Sequence, residues 1–188
     1  MKSLRHMAEQ PAAVPLVADD VLEFHAGRLM LLFYICGGAA TAINGLTKMA
    51  KLDFFVRYPD FFDVAVNTGG SALNRSGAVE AAMVRHHYGP WDKRYYHVLA
   101  YLESRGLVTI KSSGKLGNSF RISLTKNGKS IAHRLSESPA FSGLRKHMET
   151  VFERLGARSG NQLKKLIYST FDDEVASKPL GHIIGEVL

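Results

Sequence analysis

Residues 89–134 read GPWDKRYYHVLAYLESRGLVTIKSSGKLGNSFRISLTKNGKSIAHR, and this stretch decides the fold. Near its start, apolar side chains recur at the i, i+3, i+4 and i+7 spacing that places them on one face of a helix. These side chains are Tyr95, Val98, Leu99 and Leu102. The helix is expected to end at Arg105-Gly106, because glycine accepts the left-handed cap conformation. Two strands, Leu107–Ile110 and Phe120–Leu124, then flank a turn rich in Gly, Ser and Lys over residues 111–119.

A helix followed by two strands around a flexible turn is the second half of a winged helix, and the turn would be the wing. We therefore predict an α+β fold, mainly helical, in which a winged helix-turn-helix carries additional N- and C-terminal helices. The predicted segments are a flexible N-terminal arm at 1–20, a helical N-terminal part of the core at 21–66, a loop at 67–78, the winged-helix unit at 79–137 and a C-terminal helical region at 138–188.

Glycine and proline set the expected limits of the other elements. One helix begins at Val21 and ends at Gly37-Gly38, and a second covers Gly45–Tyr58 before Pro59 stops it. A short strand at Met83–His87 is expected to pair with the wing strands, and Asp92 to cap the next helix. Two amphipathic helices over residues 140–156 and 161–171 either fold back on the N-terminal half or pair with a second subunit.

The net charge of +7 is concentrated in one part of the chain. Residues 80–134 contain ten Lys or Arg and three Asp or Glu, which leaves 14 basic and 14 acidic residues elsewhere. A basic domain on a neutral body is typical of a nucleic-acid contact, and the alternative is an ordinary solvated surface.

The predicted helix before the wing presents an outer face of Lys93, His97, Ala100 and Ser104. The candidate DNA-binding residues are Lys93, Arg94, His97 and Tyr101 on this helix, with Lys111, Lys115 and Arg121 on the wing. This outer face has little of the Arg, Asn and Gln set that makes bidentate base contacts. We therefore expect contact with the backbone of double-stranded DNA without strong sequence specificity, or docking of a protein instead.

Other functional classes find little support in the sequence. The single Cys36 cannot form an internal disulfide, so a buried thiol and a cytoplasmic location are expected. The longest apolar run, Leu29–Cys36, is too short to cross a membrane. No metal-ligand spacing, phosphate loop or cofactor motif occurs, and only the acidic cluster at Asp172–Glu174 hints at a metal-dependent nuclease. We expect a non-catalytic protein without metal or cofactor.

Several strings along the chain resemble known families. The wing strands and the following Leu124-Thr125-x-x-Gly128 resemble winged-helix regulators of the MarR and PadR type. A resemblance that covers more of the chain is to the middle component of bacterial ABC three-component systems, found in Lamassu-like anti-phage operons. It rests on Gly27-Arg28-Leu29 with its apolar run, Lys51-Leu52-Asp53-Phe54-Phe55-Val56-Arg57-Tyr58-Pro59, Tyr88-Gly89-Pro90-Trp91-Asp92 and Leu163-Lys164-Lys165-Leu166-Ile167-Tyr168.

The second resemblance implies an accessory subunit that assembles with an SMC-like ATPase subunit and an effector encoded nearby. A subunit held between partners would expose the aromatic residues of those strings. The expected partner-binding residues are Phe54, Phe55, Tyr58, Phe61 and Trp91, although core packing is the alternative for such rings. The MarR/PadR resemblance implies instead a free-standing, dimeric transcriptional regulator.

Overall fold

The computed structural model describes residues 21–66, 83–87, 89–113, 119–172, 175, 177 and 179–184. The helices are α1 (Leu22–Cys36), α2 (Leu46–Arg57), α3 (Pro59–Val66), α4 (Tyr95–Ser104), α5 (Lys126–Ser136), α6 (Ser142–Leu155) and α7 (Gly160–Thr170). The strands are β1 (Ala42–Asn44), β2 (Val84–His86), β3 (Gly89–Trp91), β4 (Val108–Ser113) and β5 (Ser119–Leu124). The mainly helical α+β prediction is confirmed. The predicted arm at 1–20 and the loop at 67–78 lie outside the described residues.

Helices α1 and α2 form the centre of the core. Almost every side chain of α1 from His25 to Phe33 is buried, as expected for a helix that is apolar on nearly all sides. Helices α4, α5 and α6 pack against α1, while α6 and α7 pack against α2. The C-terminal helices therefore fold back on the N-terminal half of the same chain, which is one of the two arrangements expected from the sequence.

The larger sheet has the order β1-β5-β4, with both pairs antiparallel. Its inner face is apolar, since Ile122 of β5 lies between Ile43 of β1 and Ile110 of β4. Strands β4 and β5 were predicted from strand-like runs on either side of a turn rich in Gly, Ser and Lys. Strand β1 was not, because its three residues lie between glycines and show no periodicity.

The prediction that the strand near Met83–His87 joins the wing strands is wrong. Strand β2 pairs instead with β3 in a separate antiparallel hairpin, and Val84 bridges to Ile183 near the C-terminus. Two physical reasons explain the difference. Both edges of β5 are already occupied by β1 and β4, and Gly89 has a φ of 109°, which allows the chain to reverse tightly after β2.

The aromatic residues expected to bind partners lie in the core, so the expectation that they are exposed is wrong. Phe54, Phe55, Tyr58, Phe61 and Trp91 are only 0–8 % exposed. Pro59 ends α2 as predicted, but it also begins α3, because proline fits the first position of a helix. This immediate second helix folds Phe61 back onto Phe54 with ring centroids 5.3 Å apart, and Phe171 covers both.

Helix α5 is fixed to the corner between α4 and β4 by the Thr125-x-x-Gly128 segment. The Thr125 hydroxyl accepts a hydrogen bond from the Gly128 amide at 3.0 Å and donates to the Gly106 carbonyl at 2.7 Å. A Cβ atom at residue 128 would collide with the Leu107 carbonyl oxygen, so glycine is required for this close approach. The sequence motif therefore has a packing role.

The buried thiol expected for Cys36 is confirmed, and burial raises its pKa to about 12. A thiol with such a pKa stays protonated and unreactive at neutral pH. Among the helices that the structure describes, none is long and apolar enough to cross a bilayer.

Candidate nucleic-acid interface

Helix α4 divides its residues between the core and the surface as the helical periodicity predicts. Its inner side chains, Tyr95, Val98, Leu99 and Leu102, are buried. The outer residues Lys93, His97, Ala100 and Ser104 are exposed, together with Tyr96, Glu103 and Arg105. The face proposed to meet DNA is therefore open to a ligand, and it combines one lysine with small and neutral groups.

Asp92 was expected to be the N-cap of α4, but that position belongs to Arg94, and the Asp92 carboxylate accepts a hydrogen bond from the Arg94 amide at 2.9 Å. The helix begins later, at Tyr95, and the Asp92 carboxylate accepts hydrogen bonds from Arg57 Nη1 and Arg94 Nη2, both at 2.7 Å. Burial alone would raise the pKa of Asp92. The hydrogen bonds and charge of Arg94 and the charge of Arg57 outweigh this effect and hold the pKa well below its usual value. Asp92 is thus a permanently charged link between α2 and the start of α4.

Arg94, a candidate DNA-binding residue, is engaged in this link. Its Nε and Nη2 atoms donate to Asp92 at 2.9 and 2.7 Å, and its Nη1 atom lies 2.9 Å from His25 Nε2 on α1. The side chain is 29 % exposed. All three nitrogen atoms of the Arg94 guanidinium therefore have a protein partner, although the side chain is partly exposed to solvent.

A second buried link joins α4 to α1 and α2. Arg28 Nε lies 3.4 Å from Asp53 Oδ1, and the Tyr95 hydroxyl donates to Asp53 Oδ2 at 2.7 Å. Burial, with the negative charge of Asp53, raises the pKa of Tyr95 well above its usual value, so the phenol remains a donor. We call Arg28, Asp53, Arg57 and Asp92 the ionic cluster. Together with Tyr95 and Arg94, it fixes the position of α4.

The C-terminal end of α4 is fixed to β4. The Glu103 carboxylate accepts a hydrogen bond from the Ile110 amide at 3.1 Å. The guanidinium of Arg105 lies over the ring of Tyr101, 5.4 Å from its centroid. Tyr101, another candidate DNA-binding residue, is therefore half-buried and carries a cation on its ring.

The hairpin of β4 and β5 brings two more candidates together. Lys111 and Arg121 are directly opposite each other in the antiparallel register, and both are exposed. Opposite residues have Cβ atoms about 5 Å apart and point to the same side of the sheet. Arg121 Nη1 also donates to Asn44 Oδ1 on β1 at 3.1 Å, which steadies the guanidinium. Lys115 lies outside the described residues.

The exposed charge of residues 80–134 is predominantly positive. Their two described carboxylates are Asp92, which is buried and paired, and Glu103, which is exposed. We call the exposed cations the basic surface: Lys93, Arg105, Lys111, Arg121, Lys126, Lys129 and Arg134. Asp92 adds little to the exposed charge, because it is buried and paired with Arg57 and Arg94.

A groove of about 370 Å³ opens beside the start of α4. The β2–β3 hairpin and a segment near the C-terminus form its walls, and we call it the hairpin groove. Its lining residues include Arg85, His86, Trp91, Lys93, Tyr96 and Leu180. Sequence reasoning missed this groove, because the contact between β2 and Ile183 joins segments that no periodicity connects.

In the part of the chain that the structure describes, no group of three His, Cys, Asp or Glu side chains could hold a metal ion. Asp172 of the acidic cluster is exposed, and its neighbours Asp173 and Glu174 lie outside that part. No protein-family model matches the sequence, and no curated protein matches it either.

Proposed function

We propose that the protein is a non-catalytic accessory subunit of an SMC-like ATPase complex for anti-phage defence in the bacterial cytoplasm. It would bridge the ATPase and the effector and touch the backbone of double-stranded DNA. The observation that carries the DNA contact is the basic surface. Among the described residues of 80–134, Glu103 is the exposed carboxylate that offsets its cations. Such a surface attracts a polyanion at long range.

The arrangement of elements supports a winged helix as the unit that carries this surface. Strand β1, which lies between α1 and α2 in the chain, pairs with β5 to give the order β1-β5-β4, and α4 directly precedes β4. Helix α4 then corresponds to the recognition helix of a helix-turn-helix protein. The β2–β3 hairpin lies between α3 and α4 in the chain, where a short turn joins the two helices in a simple helix-turn-helix.

Backbone contact fits the chemistry of the exposed side chains better than base readout does. The outer face of α4 offers Lys93, His97, Ala100 and Ser104, and the Arg94 fork is bound to Asp92. Bidentate recognition of guanine or adenine needs a free Arg, Asn or Gln. Lys111 and Arg121 on the hairpin suit phosphate oxygens, which are the same for every sequence.

The alternative, a free-standing dimeric regulator of the MarR/PadR type, would use its terminal helices as a dimer interface. The apolar residues of α6 and α7, among them Met148, Val151, Leu163 and Ile167, are buried against this chain's own core. Since these faces are already occupied within the chain, the packing gives no support to a dimer interface built from them.

Affinity purification of the tagged protein, expressed with its native operon, tests the proposal. We expect an SMC-like ATPase and an effector to co-purify with it at a fixed ratio. Elution of the chain alone would contradict the assembly. Elution as a homodimer that protects a short palindrome in its own promoter would establish the regulator instead.

A further inference from the structure

The hairpin groove differs from the rest of the surface in having both cations and exposed rings. Arg85 and Lys93 line it, and the described lining contains no carboxylate. Neither side chain forms an ion pair with any described residue. The groove therefore favours an anionic occupant that supplies hydrogen-bond acceptors.

The groove also collects exposed apolar surface. Tyr96, Phe120 and Leu180 are the large apolar side chains that the described part of the chain exposes most, and two of the three line this groove. Tyr96 is 64 % exposed, and Leu180 is 51 % exposed. Such clustering in one concave site marks a place where a ligand covers apolar surface.

The rings in the groove form a continuous series. The centroid of Trp91 lies 5.6 Å from that of Tyr96 and 5.4 Å from that of His86, and the planes of His86 and Trp91 are only 30° apart. Trp91 is nearly buried and contacts both neighbouring rings, while most of the Tyr96 side chain is exposed to solvent. A planar, electron-poor ring stacks well on such a platform.

We propose that the hairpin groove binds an unpaired nucleotide of single-stranded DNA, with the base stacked on Tyr96 and its phosphate against Arg85 and Lys93. A volume of about 370 Å³ suits one nucleotide, since ligand sites begin at about 300 Å³. Bases inside a duplex are already stacked and paired, so only an unpaired base can enter. This inference deepens the proposed function, because Lys93 belongs to both the groove and the basic surface.

The only tryptophan of the chain lies in this groove, so the protein carries its own reporter. The full-length protein is titrated with a thymidine oligonucleotide of about 12 residues, a length within known single-strand site sizes. A blunt duplex is titrated in parallel. We expect the single strand to quench Trp91 fluorescence and the blunt duplex to leave it unchanged.

Tyr96→Ala should weaken single-strand binding, followed by fluorescence polarisation of a labelled oligonucleotide, by about tenfold, the order that loss of one stacked base produces. Tyr96→Phe keeps the ring and should restore binding. Phe120→Ala removes an exposed ring from the other hairpin and serves as the matched control. Because Tyr96 is largely exposed, its replacement leaves the core intact.

The outcomes separate this inference from the proposed function. If the blunt duplex binds, and Tyr96→Ala binds the single strand as the wild type does, the groove inference is wrong and the duplex contact stands. If the single strand binds through Tyr96 while the duplex does not bind, the groove stands and the duplex contact is wrong. Quenching by polyglutamate that equals quenching by the oligonucleotide would identify an acidic-peptide site and overturn the inference.

Discussion

The ionic cluster and the basic surface both contain arginine side chains, but these arginines have different surroundings. In the ionic cluster, Arg28 and Arg57 are buried and meet carboxylates within 2.7–3.4 Å. On the basic surface, Arg105 and Arg121 are exposed and form no ion pair with a described residue. The comparison shows that burial and a partner, and not residue type, separate a structural arginine from one available to a ligand.

Arg94 stands at the border between the two regions. Its fork is bound to Asp92, as in the ionic cluster, yet its side chain is partly exposed beside Lys93. Replacing a residue here changes the position of α4 as well as the surface charge. Loss of DNA binding in an Arg94 variant is therefore no measure of a direct contact, and variants of the two regions must be tested apart.

The largest effect is expected from Asp53→Ala, which leaves Arg28 buried without its carboxylate and removes the acceptor of Tyr95. Breaking a buried pair in this way costs about 3–5 kcal/mol. Urea denaturation measures the loss. Asp63→Ala, at an exposed position of α3, should change stability by less than about 0.5 kcal/mol. If Asp53→Ala lowers the free energy of unfolding no more than Asp63→Ala does, the ionic cluster does not stabilise the fold.

Asp92→Asn should destabilise the protein by about 2–3 kcal/mol at neutral pH, because it removes the charge that Arg57 and Arg94 bind. The folded state lowers the pKa of Asp92, so its contribution is fully present above the ordinary value of 3.8 and is lost as the pH falls below it. The difference between wild type and variant should therefore shrink in acid. A difference that stays constant from about pH 7 to about pH 2 would contradict this assignment.

Lys51→Met should stabilise the protein, in contrast to the two aspartate variants. Burial, with the nearby charge of Lys164, lowers the pKa of Lys51 from 10.5 to about 8, so the charged form costs the fold free energy at neutral pH. We expect a gain of about 1–2 kcal/mol at pH 7. The stability difference between variant and wild type should decline as the pH rises from 8 to 10.5. In this range Lys51 of the folded wild type is already neutral, so its burial no longer costs the free energy of burying a charge. Lys146→Met, on the exposed face of α6, should be neutral at every pH.

The smallest effect on stability, below about 0.5 kcal/mol, is expected from the double variant Lys111→Ala and Arg121→Ala, because both side chains are exposed. Its effect on duplex binding should be large. If both residues touch phosphates, the slope of log affinity against log salt becomes smaller by about two units. Lys146→Ala serves as the control. An unchanged slope would show that the β4–β5 hairpin does not contact DNA phosphates.

Most helices and the inner face of α4 could be predicted from the sequence, because local rules determine them. Glycine after Cys36 and proline after Tyr58 mark helix ends, and Tyr95, Val98, Leu99 and Leu102 follow the helical period. Strands β4 and β5 follow from strand-like runs on either side of a turn-rich stretch. For the candidate site, exposure of Lys93, His97, Lys111 and Arg121 also agreed with the local pattern.

The remaining features depend on partners that are distant in the chain. No local pattern marks β1, whose pairing with β5 joins Ile43 to Ile122. Nor does any pattern show that Arg57 reaches Asp92, or that His25 reaches Arg94. The hairpin groove requires β2 to meet residues near the C-terminus. The aromatic string from Phe54 to Phe61 has the same composition whether it is core or interface, so only packing could decide.

The position of β5 between β1 and β4 has a consequence for synthesis on the ribosome. Hairpin β4–β5 closes through a short loop, whereas β1 must wait for a partner made much later in translation. Helices α1 and α2 emerge first, and the helices that cover them, α6 and α7, emerge last. The apolar surface of α1 and α2 therefore stays uncovered until α6 and α7 have been made, so we expect a chaperone at the ribosomal exit to meet this chain at that stage.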